Sequence, residues 1–125
     1  MHKKLLFPII IALAAIAVIG LFVFLIKAKN APPPDSTMIF FYRDDCPHCK
    51  NVEDFFAANN VENQIAFEKR EVRNSPANAK LLSDRFTRCN ITDPKQMGVP
   101  LFWDGSTCFS GDQPIIDYFK TKLGI

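Results

Sequence analysis

Residues 5–26 contain no charged side chain. The run opens at Leu5 and closes at Ile26, and only Pro8 and Gly20 interrupt its apolar character. As a helix rising ~1.5 Å per residue it would be roughly 33 Å long, enough for a hydrocarbon core of ~30 Å. A lone segment of this kind has one spanning solution. In lipid every backbone polar group must be satisfied internally, and a helix does that alone. Secretory signal peptides have shorter apolar cores, ~7–15 residues, followed by a small-x-small cleavage site. Here Lys27-Ala28-Lys29-Asn30 follows instead, so the segment is expected to remain as an anchor. The chain then divides into an anchor with its flanks (1–30), a proline-rich linker (31–36) and one domain (37–125).

The charge follows the same division. The net charge is +2, from 15 basic and 13 acidic residues. Lys3, Lys4, Lys27 and Lys29 flank the apolar run, and no acid precedes Asp35. The remaining eleven bases therefore face all thirteen acids, and residues 31–125 are slightly acidic. A nucleic-acid partner has no electrostatic support in such a domain. The N-terminal flank offers two lysines and the α-amine, against two lysines on the far side. That asymmetry favours a cytoplasmic N-terminus and an outward-facing domain. Four cysteines in so short a domain point the same way, because disulfides persist in oxidising compartments. The expected location is a single-pass protein of a plasma membrane, such as a bacterial inner membrane, with its domain outside the cytoplasm.

Ala31-Pro32-Pro33-Pro34-Asp35 favours polyproline II and makes a stiff spacer of roughly 10–15 Å. Beyond it, strand-like and helix-like patterns alternate. Residues 38–42 (Met-Ile-Phe-Phe-Tyr) form a continuous apolar run, as expected of a strand covered on both faces. Val52, Phe55 and Phe56 mark the buried stripe of a helix. Residues 65–72 read as a second strand, with Ile65 and Phe67 on one side. Ser75-Pro76 is an N-cap followed by a first-position proline, opening a helix that packs through Leu82 and Phe86 and stops near Cys89-Asn90. Residues 99–103 read as a third strand, Asp104-Gly105 as a hairpin turn, and 107–109 as the returning strand. The last helix begins at 112–114 and buries Ile115, Ile116, Phe119 and Leu123. The order is βαβαββα, an α/β domain with a mixed four-stranded sheet flanked by helices.

The chemistry concentrates in Cys46-Pro47-His48-Cys49, directly after the first strand and at the start of the first domain helix. Cys46 falls at the N-cap or first turn, where unpaired N–H groups and the helix dipole stabilise a thiolate. Pro47 suits a position whose N–H would be wasted. His48, as imidazolium, would stabilise the thiolate further. Two cysteines three apart in a first turn can close a disulfide, so Cys49 can resolve a mixed disulfide formed on Cys46. The competing reading of the same residues is a metal-binding or metal-delivery domain using Cys46, His48 and Cys49. A zinc ribbon would want a second C-x-x-C, and Cys89 and Cys108 stand singly.

Strand, Cys-Pro-His-Cys, helix, and then Val99-Pro100 opening a later strand together resemble the thioredoxin superfamily. Size and strand order are similar to its minimal, glutaredoxin-like form, over about residues 37–123. The resemblance implies a thiol–disulfide oxidoreductase acting on protein thiols and disulfides, recycled by a redox partner, with no resident cofactor or metal. It also implies that Pro100 is a cis-proline facing the cysteines and that the Val99 backbone binds the extended substrate. Three departures stand out. Phe40 occupies the place of the buried acid of thioredoxins. The chain has no room for the helical insertion of DsbA-type oxidases, which share the tetrapeptide. Phe109-Ser110-Gly111-Asp112-Gln113 matches the glutathione-holding turn of glutaredoxins only in part, which leaves glutathione an open partner. Asp44 and Asp45 precede Cys46, and their charge is expected to oppose the thiolate.

Cys89 and Cys108 leave three readings open: a structural disulfide, two free thiols, or a second redox pair. A bridge closing that loop would contribute roughly 3 kcal/mol on the chain-entropy model. Trp103 reads as packing, and His2 as a flank residue without a role.

Overall fold

The computed structural model of the chain describes residues 3–29 and 37–125, with side chains for 7–26 and 37–125. The linker expected over 31–36 lies outside the described residues. The chain divides into two compact units, Met1–Pro33 and Pro34–Ile125.

The first unit contains one helix, α1 (Lys3–Lys29). Its stretch Phe7–Ile26 has a mean hydropathy of 3.3, is exposed throughout, and is long and apolar enough to cross a membrane. No face of α1 is polar between those limits, which distinguishes it from the amphipathic helix of a water-soluble surface.

The second unit runs β1 (Ile39–Tyr42), α2 (Pro47–Ala58), a 3-10 turn (Val61–Asn63), β2 (Glu68–Glu71), α3 (Pro76–Arg88), β3 (Leu101–Trp103), β4 (Cys108–Ser110) and α4 (Asp112–Leu123). The four strands form one mixed sheet in the order β2-β1-β3-β4. β1 and β2 are parallel, joined through α2, while β3 is antiparallel to both β1 and β4.

Strand alternation explains why β1 is apolar at consecutive positions. Phe40 points to one face with its register partner Phe102, among Val52, Phe56, Val61, Ile115 and Phe119 of the α2 and α4 layer. Ile39 and Phe41 point to the other face with Leu101 and Trp103, against Leu82 and Phe86 of α3. A strand buried on both sides has no solvent side to carry polar residues. The first of these cores is largely aromatic. The Phe56 and Phe102 rings each lie 4.8 Å from that of Phe119, centroid to centroid.

Local signals set the helix ends. Ser75 Oγ accepts the Asn78 N–H at 3.3 Å, capping α3 ahead of Pro76. Gly124 ends α4 in the left-handed region, φ 74°, its N–H returning to the Lys120 carbonyl. In the hairpin Asp104 Oδ1 accepts the N–H groups of Ser106 and Thr107, at 2.9 and 2.7 Å.

β2 is shorter than its sequence pattern suggests. Ile65 and Phe67 precede it and still pack on the α2/α4 core. Pairing with β1 begins only where the Glu68 N–H reaches the Met38 carbonyl. The N–H groups of Gln64 and Ile65 are instead used by Val61, which closes the 3-10 turn. The charged strand therefore runs along an edge of the sheet, where such residues can remain wet.

Cys89 at the C-cap of α3 is disulfide-bonded to Cys108 in β4, with Cα atoms 6.0 Å apart. Beside this link lies a side chain the periodicity did not single out. Arg85 is 2% exposed, with its guanidinium carbon 5.0 Å from the centre of the Trp103 ring. Trp103, expected as packing, is part of the α3-side core.

Candidate functional site

The turn between β1 and α2 aims Cys46. Its N–H bonds the Arg43 carbonyl at 3.2 Å, and the next residue, Pro47, begins α2. Cys46 is the N-cap: its backbone is extended (φ −101°, ψ 112°) and its sulfur accepts the Cys49 N–H at 3.2 Å. Proline at the first position and a sulfur in place of the usual cap oxygen are both legible in the tetrapeptide.

The two thiols occupy different environments. Cys46 is half-buried, whereas Cys49 is fully buried, and neither is in a disulfide. Burial, followed by the hydrogen bond with Cys46, pushes the Cys49 thiol up to about 12 from a usual 9.0. Desolvation disfavours its anion, so Cys49 holds its proton while Cys46 is the sulfur within reach of solvent.

The acids ahead of Cys46 do not act as a bare pair. Arg43 Nε and Nη2 donate to the two Asp45 carboxylate oxygens at 2.9 and 2.8 Å, and Arg73 Nη1 bonds Asp45 as well. The Arg43 hydrogen bond lowers the Asp45 carboxyl below its usual range. The expected opposition of Asp45 to a thiolate is thus offset by two guanidinium groups. Arg73 follows β2, 28 residues away, and sequence adjacency could not have found it.

His48 also has a partner that spacing did not reveal. Its Nδ1 lies 3.0 Å from Asp112 Oδ2, at the first position of α4, and its side chain is 70% exposed. Asn51 Nδ2 donates to the same oxygen at 2.8 Å. The Asn51 and His48 bonds hold the Asp112 carboxyl down to about 2 from 3.8. Asn51 and His48 lie three apart on α2, hence on one face, and that face meets the α4 N-terminus. Asp112 appeared in the sequence only as part of a turn and as the start of the last helix, and the tertiary contact gives it this place.

The Val99–Pro100 peptide bond is cis. The Val99 carbonyl accepts from the Cys46 thiol at 3.6 Å, which joins the segment ahead of β3 to the cysteine pair. Next to this contact is an open cleft of about 200 Å³, lined among others by His48, Lys95, Val99, Pro100, Gly111 and Asp112. Five of the six residues singled out in the tetrapeptide and the Val-Pro pair therefore gather at one end of the sheet through direct contacts or shared lining. Pro47 joins them as the first residue of α2. Cys89 and Cys108 belong to the α3–β4 link and do not enter this group.

Among the described residues, no group of three or more His, Cys, Asp or Glu side chains is arranged to hold a metal ion. In particular His48 Nδ1 is engaged by Asp112. No family model matches the chain, and no curated protein matches it.

Proposed function

We propose that this chain is a membrane-anchored thiol–disulfide oxidoreductase with a thioredoxin-like, glutaredoxin-like domain, exchanging disulfides with protein substrates outside the cytoplasm. The observation that carries the reading is the unequal pair at the α2 N-terminus. A half-exposed Cys46 caps the helix through its sulfur, over a fully buried Cys49 that keeps its proton.

The reaction follows from that inequality. The Cys46 thiolate attacks one sulfur of a substrate disulfide, forming a Cys46–substrate bond and releasing the other substrate sulfur as a thiolate, which takes up a proton. Cys49 then gives up its proton and attacks Cys46 Sγ. A Cys46–Cys49 disulfide forms and the second substrate thiol departs. Two electrons have passed from the protein to the substrate, and an external dithiol must return them. Run backwards, the same steps oxidise a substrate dithiol. The N-cap position supports attack by Cys46, since helix N–H groups favour a sulfur anion there. Removal of Cys49 from water supports its later entry, because a thiol that keeps its proton is the poorer nucleophile of the two in the first step. The Val99 backbone, whose carbonyl accepts from the Cys46 thiol, is the surface against which an extended peptide would lie.

Turnover tests the reading. The full chain in detergent should reduce a dye-labelled disulfide catalytically with a small dithiol as reductant, and Cys46→Ser should abolish that activity. Stoichiometric zinc or copper(I) binding without turnover would replace it by the metal-carrier reading.

A further inference from the structure

We propose that Asp112 is a positioning residue for this exchange reaction, setting through His48 how strongly the Cys46 thiolate is stabilised. The inference rests on the oxidoreductase reading and adds a regulator from outside the cysteine motif. Asp112 stands at the start of α4, 64 residues beyond His48, yet its Oδ2 lies 3.0 Å from His48 Nδ1 and 2.8 Å from Asn51 Nδ2. An ionised carboxylate has no hydrogen to give, so the hydrogen in the His48 contact sits on Nδ1. Two consequences follow. The neutral imidazole is held as its Nδ1–H tautomer, leaving Nε2 to gain or lose the proton. The imidazolium, when present, is balanced by a fixed negative charge. The His48–Asp112 pair as a whole therefore attracts a thiolate at Cys46 far less than an unpaired imidazolium in the same place would.

The other charges around the imidazole come from two places. Lys95, on the loop ahead of β3, lines the same cleft as His48 and Asp112. Asp44 and the Arg43–Asp45–Arg73 cluster belong to the approach to Cys46, where Asp45 is paired with both arginines. Asp112 is the group in direct contact with the ring.

Two measurements on the full chain in detergent test the proposal. The first is equilibration with glutathione, in which protein dithiol and glutathione disulfide give protein disulfide and two glutathione thiols. Asp112→Asn keeps the shape of the side chain and removes its charge. It should shift this equilibrium toward the reduced protein roughly three- to tenfold at pH 6, the size expected of one nearby charge partly screened by water. A smaller shift should remain in a His48→Gln background, where the carboxylate acts on the thiolate only directly, and Asp112→Glu should restore much of the original value. An equal shift with and without His48, or none with His48 present, overturns the proposal. The second measurement needs no substitution of Asp112. Nitrogen NMR of the histidines, with His48→Gln to distinguish His48 from His2, should find neutral His48 protonated on Nδ1. The Nε2–H tautomer overturns the proposal even if Asp112→Asn fails to fold. If the wild-type cysteines do not equilibrate with glutathione while the tautomer is as stated, the oxidoreductase reading fails and the Asp112–His48 pairing survives.

Discussion

Cys46 and Cys49 are three residues apart and chemically unlike, and burial makes the difference. Cys46 keeps a solvent-facing sulfur, while Cys49 lies under the helix start with its thiol pushed up to about 12. On the proposed reading, removing Cys49 should therefore leave reactions half finished. Cys49→Ser should accumulate mixed disulfides with protein partners, visible as thiol-sensitive bands on a gel, whereas Cys46→Ser should trap none. Equal trapping by both variants would reverse the assignment. The raised Cys49 value also has a stability consequence with a definite sign. The reduced protein binds that proton more tightly when folded, so the contribution is complete below the usual 9.0 and is lost as pH climbs toward 12. Asp112 has the opposite sign. Its depressed carboxyl favours the folded state above 3.8, and that contribution is lost as pH falls through about 2. Acid titration of folding should show this loss in the wild type and not in Asp112→Asn.

The sheet and its two helical layers divide the work between elements. α2 carries the cysteines, α4 supplies Asp112, and the segment ahead of β3 supplies Val99, so the site lies where three elements meet. Their relative placement depends on the aromatic layer beneath. Phe119→Ala opens a cavity among Phe56, Phe67 and Phe102 and should cost about 3–5 kcal/mol. The Cys89–Cys108 bridge ties α3 to β4, and the loop it closes contains Val99 and Pro100. Replacing both cysteines by Ala should lower stability by about 3 kcal/mol. Trp103, the single tryptophan, lies in the cluster next to the bridge and reports the unfolding midpoint in urea. An unchanged midpoint would mean that the bridge constrains the unfolded chain little. β2 is where element-level reading of the sequence overreached. The pattern of residues 65–72 is strand-like throughout, but a chain leaving a 3-10 turn enters the ladder only at Glu68.

At the scale of the whole molecule, the two compact units make different demands on their surroundings. The side chains of Phe7–Ile26 are exposed and apolar, whereas the domain buries its apolar residues on both sides of one sheet. The full chain should stay with the membrane fraction after alkaline carbonate washing. With Cys89 and Cys108 bridged and Cys49 buried, Cys46 is the one half-exposed thiol. In intact cells a membrane-impermeant thiol reagent should label it after mild reduction, and labelling only after lysis would place the domain in the cytoplasm. The long apolar N-terminal helix, the order of strands and helices, the doubly buried β1 and the thiol motif at the α2 start were all legible from sequence. Each is a local pattern: an uncharged run, a period of two or 3.6 residues, a proline at a first helical position. The remainder required distant residues to meet. Folding removed one of the three readings of Cys89 and Cys108, the free thiols, by bringing an α3 end against β4. It set Arg73 on Asp45 and so offset part of the expected opposition to the thiolate. It also set Asp112 on His48, because α2 and α4 share one face of the sheet and pack side by side. Local patterns report what a residue can do, but charge and hydrogen-bond partners act through space, and only the packed chain decides which of them are near.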